Sequence, residues 1–141
     1  MPKDESKKVV CRAIIEIAGF PKEHVDQTMQ NVVNHLKKQE NFKLLSHKTF
    51  PSEKIKEMFS TFTEFELEFP RFDDILDFAF AFLPSSIEIL KGKENFNVSE
   101  VTGILNDTLA QLHKYDMVVK NLRLRVMALE KEVGKVSEQN S

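Results

Sequence analysis

The sequence predicts an α+β fold: elements in the order βαββαβ, a four-stranded antiparallel sheet, then one long C-terminal α-helix with coiled-coil heptads. Three observations carry this. Val9 to Ile17 and Phe59 to Phe69 alternate with a period of two, as half-buried strands do. Two other stretches repeat apolar residues at steps of three and four. Beyond Val101 the apolar residues recur every seven, the period of a helical seam.

In the first strand Val9, Cys11, Ala13, Ile15 and Ile17 point one way, and Val10, Arg12, Ile14 and Glu16 the other. Gly19-Phe20-Pro21 ends it, and Pro21 suits the start of a helix. That helix runs from Lys22 to about Gln39, with Val25, Met29, Val32, Val33 and Leu36 on its apolar face. Phe42 to Phe50 reads as a weaker edge strand, because Leu44 and Leu45 break the alternation and Pro51-Ser52 interrupts it. In the next strand Phe65, Leu67 and Phe69 alternate with Glu64, Glu66 and Glu68, so one face is core and the other an acidic ladder. Pro70 stops it. A short helix follows, capped near Asp73 and nearly buried through Ile75, Leu76, Ala79, Phe80, Phe82 and Leu83. Pro84 ends the helix, and Ser86 to Leu90 forms the last strand before the polar turn Lys91-Gly92-Lys93.

This order is that of a ferredoxin-like split β-α-β sandwich. Right-handed crossovers place both helices on one face of the sheet and leave the other open.

Asn97 and Glu100 have capping-box spacing at the head of the last helix, which the pattern carries to about Val136. At 1.5 Å per residue that is about 57 Å, longer than a domain of this size is wide, so part of the helix needs a partner. Leu105, Leu112, Val119, Val126 and Val133 recur every seven residues. Val101, Thr108, Tyr115, Leu122, Leu129 and Val136 do the same, offset by three. These are the a and d positions of a left-handed coiled coil, and Val at a with Leu at d leans toward two parallel strands. Leu105, Leu112, Tyr115, Val119, Leu122, Val126 and Leu129 are therefore the candidate self-association residues. Ile104, Leu109 and Val118 widen the stripe on the N-terminal half, while Met117, Leu124 and Met127 lie on other faces.

The expected organisation is a flexible N-terminus at 1–8, a sheet domain at 9–96, the dimerisation helix at 97–136 and a disordered tail at 137–141. The chain has 141 residues, with 20 Lys+Arg against 22 Asp+Glu, enough length to bury a core without staples. Residues 57–100 hold 3 basic and 10 acidic side chains, a net of −7, between ends of +4 and +1. An acidic middle argues against a nucleic-acid footprint there. A single cysteine excludes an intramolecular disulfide framework and points to a reducing, cytoplasmic setting. No apolar run approaches the roughly 20 residues that span a bilayer.

Little in the sequence points to catalysis. His24, His35, His47 and His113 are scattered without ligand spacing, so no metal site and no cofactor is expected. Cys11 belongs to the apolar set of its strand and reads as a buried structural thiol. No catalytic residue set converges. Glu64, Glu66 and Glu68 are candidates for binding a partner, or form a solvated face paired with Arg12.

The topology resembles the RNA-recognition motif, but Met58 to Phe69 lacks its basic-aromatic signature and carries carboxylates on one face instead. Ile17-Ala18-Gly19-Phe20-Pro21 is similar in position to the ligand loop of amino-acid-binding ACT domains. That resemblance implies an alternative function, a regulatory domain holding a small metabolite near Gly19, Phe20 and Pro21. The leading expectation is a non-enzymatic interaction or assembly module, homodimeric through its last helix and docking another protein.

Overall fold

A computed structural model of the chain describes residues 7–92 and 95–140. β1 (Val9–Gly19) buries Val9, Cys11, Ala13 and Ile15 and turns Val10, Arg12, Ile14 and Glu16 to the opposite side. Its alternation is the one read from the sequence. α1 (Lys22–Lys37) follows directly, with Pro21 as N-cap and Val25, Met29, Val33 and Leu36 buried. Steps of four, four and three keep those side chains on one stripe.

The sheet holds five strands where the pattern predicts four. β2 (Lys43–Thr49) and β3 (Glu53–Ile55) both pair antiparallel with β4 (Met58–Phe69). Pro51 has no N–H to give to the ladder, so the pairing stops there and resumes at Glu53. The Phe50 N–H still donates to the Phe62 carbonyl at 3.0 Å, which keeps the two short strands on one edge of β4. β4 also pairs with β1, and β1 with β5 (Ser86–Lys91), giving the antiparallel order β2-β4-β1-β5.

α2 (Phe72–Phe82) departs from expectation at both ends. Its N-cap is Arg71, whose N–H donates to the Asp74 carboxylate at 3.1 Å. The nearly buried helix that the sequence suggests buries only Ile75 and Phe78. Leu83 lies outside the apolar stripe altogether: it is 67% exposed and forms the C-cap with φ 48°. An L-residue with a side chain is strained in that left-handed conformation. Leu83→Gly is therefore expected to raise stability by about 0.5–1 kcal/mol. The urea midpoint reads this, and a lower midpoint would mean that the leucine side chain contributes more by packing than it costs in strain.

Both helices bury their apolar stripes against the odd-numbered face of β1 and β4. Phe42, Phe69, Phe78 and Phe82 form an aromatic cluster there, with neighbouring ring centroids 5.2–6.4 Å apart. The two buried hydroxyls on that face are satisfied: Thr61 donates to the Phe50 carbonyl and Thr63 bonds Thr49, each at 2.8 Å.

α3 (Val98–Gln139) begins where the sequence places it. The Glu100 N–H donates to Asn97 Oδ1 at 2.8 Å, and the Asn97 N–H to Glu100 Oε2 at 3.3 Å. It continues past Val136, since Gly134 lowers helix propensity without removing a hydrogen bond. The chain divides into two compact units, Met1–Phe96 and Asn97–Ser141. Most of the expected flexible segment 1–8, Lys93 of the polar turn and Ser141 of the expected tail lie outside the described residues.

Candidate functional site

The face of the sheet opposite α1 and α2 collects charges from three strands. The register sets Arg12 opposite Glu66 on β4 and opposite Glu88 on β5. Arg12 NH2 donates to Glu66 Oε1 at 3.2 Å, Nε lies 2.9 Å from Glu64 Oε1, and NH1 is 3.6 Å from Glu88 Oε2. The hydrogen bond that Arg12 donates to Glu66, with the charges of Glu64 and Glu88 behind it, raises the Arg12 pKa above its ordinary value. Lys8 lies 3.8 Å from Glu68.

The three ladder carboxylates are thus brought together as the sequence suggests, but around cations of their own chain. Strand pairing also places Lys43 across from Glu68 and Lys48 across from Glu64. The face has no excess of positive charge to attract a phosphate backbone. Among the described residues no group of three His, Cys, Asp or Glu is placed to hold a metal ion. Glu88 was not legible as a member of this cluster, because only the pairing of β5 with β1 puts it beside Arg12.

At the end of the sheet where β1 begins and β4 ends lies a cleft of about 580 Å³. Its charged lining is Lys7, Lys8, Lys43 and Arg71 with Glu40 and Glu68. Lys8 is taken by Glu68, and Arg71 lies 3.5 Å from Asp73, so half of these cations are already paired. A second cleft of about 370 Å³ lies between α1 and the β2–β3 junction, lined by Met29, Phe50 and Thr61 among others. Neither cleft is lined by Gly19, Phe20 or Pro21. In that loop Gly19 ends β1, Phe20 is 69% exposed and stacks on Phe59 at 6.5 Å, and Pro21 caps α1.

Cys11 is fully buried, and burial pushes its thiol from an ordinary 9.0 up to about 11. The unfolded thiol ionises first, so this residue's contribution is intact below pH 9 and falls as pH rises toward 11. By pH 10 the loss is on the order of 1 kcal/mol. Urea midpoints at pH 8 and pH 10 are expected to differ more for the native chain than for Cys11→Ala. Equal differences would mean that the folded thiol titrates like a free one.

The candidate self-association residues lie along one stripe of α3. Their exposure runs from 42% at Tyr115 to 59% at Leu105 and Leu129, and no residue of this 42-residue helix is buried. Ordinary helices hide such a stripe, since packing of the apolar face supplies most of their stability. Met117 and Leu124 are more exposed still, at 65% and 64%. Among the described residues no helix is long and apolar enough to cross a membrane.

These features define a class of α+β protein, an antiparallel sheet backed by two helices and followed in the chain by a long helix with an apolar stripe. The chain belongs to the MJ0538 family, whose model matches residues 10–137. The match starts in β1 and ends within the last turns of α3, so it spans most of both units. No curated protein and no solved structure matches the chain.

Proposed function

We propose that this protein is a non-enzymatic interaction module of the cytoplasm that homodimerises through α3. One observation carries the reading. Leu105, Leu112, Tyr115, Val119, Leu122, Val126 and Leu129 recur at heptad spacing on a continuous helix, and every one of them is exposed in the single chain. An apolar stripe of that length in water favours association with a matching stripe, and a second copy supplies one.

In this reading β2 and β3 act as one strand interrupted at Pro51, which gives the sheet domain ferredoxin-like order. The domain then docks another protein, with Glu64, Glu66 and Glu68 on the face offered to it. Nucleic acid is the poorer partner for a face with this charge balance.

Light scattering on the full chain across a concentration series tests the proposal. The expected mass is about twice the 16.3 kDa of one chain. A mass that stays at 16.3 kDa up to high concentration overturns it.

A further inference from the structure

If α3 joins two copies, the side chains flanking the seam determine the direction of the second helix. With Leu105 at position a, the flanking e and g positions differ between the two halves of α3. The N-terminal half has the apolar Ile104, Leu109 and Val118. The C-terminal half has Arg123, Arg125, Glu130 and Glu132. In a parallel coil each g position meets the following e position of the other chain. Ile104 then meets Leu109, apolar on apolar, and Arg125 meets Glu130, cation on anion, while Val118 meets Arg123 and gains nothing from charge.

An antiparallel coil mixes the halves. In the register that keeps the whole seam paired, Ile104 falls beside Glu132 and Leu109 beside Arg123. Val118 falls beside its own copy, but so does Asp116, where like charges oppose each other. The seam itself points the same way, since Val119 and Val126 at a alternate with Leu122 and Leu129 at d.

We infer that two copies of α3 associate as a parallel, in-register, two-stranded coil, with Ile104 meeting Leu109 of the partner subunit in the N-terminal half and Arg125 pairing with Glu130 of the partner subunit in the C-terminal half. This rests on the dimer proposed above. A parallel coil connects both sheet domains to the same end of one rod. The module then presents two copies of its docking surface together, and a partner with two binding points gains avidity from that arrangement.

Engineered thiols test the direction. Val133→Cys in a Cys11→Ala background places two thiols in one seam layer of a parallel coil, close enough for a disulfide. Mild oxidation is expected to convert most of the protein to a covalent dimer on a non-reducing gel. In an antiparallel coil Val133 instead shares a layer with Val101. A mixture of Val133→Cys and Val101→Cys chains would then link to each other, while Val133→Cys alone would not. That pattern overturns the parallel direction and leaves the dimer standing.

Light scattering on the same samples separates the two readings, because a monomeric mass with no linkage overturns both. If Cys11→Ala impairs folding, the native Cys11 background serves equally, since that thiol is buried.

Discussion

Val119→Asp combined with Val126→Asp is expected to convert a particle of about twice 16.3 kDa into one of 16.3 kDa that keeps its strand signal. In the proposed parallel dimer each substitution places a carboxylate in a seam layer, where it would face the same carboxylate of the second chain. Removing charge from water without a partner costs several kcal/mol, and like charges in one layer add repulsion. Two such layers are enough to weaken the dimer by about 10³-fold or more. The sheet domain is expected to keep its strands, because among the described residues its core includes neither Val119 nor Val126. Light scattering and far-ultraviolet circular dichroism together read the result. A double variant that stays dimeric means that another surface joins the copies. One that loses the strand signal means that these valines pack within their own chain.

The other large effect lies in the sheet domain. Phe69→Ala is expected to destabilise the protein by about 3–5 kcal/mol, the usual range for removing a buried phenylalanine side chain. Phe69 is fully buried at the end of β4, with ring centroids of Phe42 at 5.2 Å and Phe78 at 5.5 Å. The cavity would open where β4, α2 and the segment before β2 meet, and several rigid aromatic rings cannot all move in to fill it. Against a typical total of about 5–15 kcal/mol, that is a large part of the folding free energy. The shift of the urea midpoint measures it. A loss below about 1 kcal/mol would mean that the cluster collapses to fill the space.

Several elements were legible because their signal is local. The alternation of β1 and β4, the stripe of α1 and the Asn97–Glu100 capping box all arise from side chains within a few residues of one another. The misreadings have physical causes of the same kind. Pro51 was visible as an interruption, but whether the chain leaves the sheet or rejoins it depends on the length of β4, which has 12 residues and can pair with both β2 and β3. α2 is apolar nearly all round, so its composition did not say which side faces the sheet. Packing selected Ile75 and Phe78 and left Leu83 as an exposed left-handed cap.

The candidate surfaces divide along the same line. The heptad stripe of α3 is a one-dimensional pattern and was complete in the sequence; what covers it is not written in that pattern. The Arg12 cluster was legible but for one member, since Glu64, Glu66 and Glu68 show as a ladder and Arg12 reads as its partner on the neighbouring strand. Glu88 joins it only through the pairing of β5 with β1, 76 residues of chain from Arg12. The cleft near Lys7, Lys43 and Arg71 left no trace in the sequence, because its walls come from separate strand ends.

The sequence by itself determined the order of the main elements, the buried face of β1 and β4, the start of the last helix and the period of its stripe. Each is set by repeat spacing or by capping chemistry that acts over one or two turns. The tertiary structure alone decided the split of the edge strand, the place of Glu88 beside Arg12 and the limited burial of α2. Those depend on which distant segments the closing of the sheet brings within hydrogen-bonding and van der Waals reach.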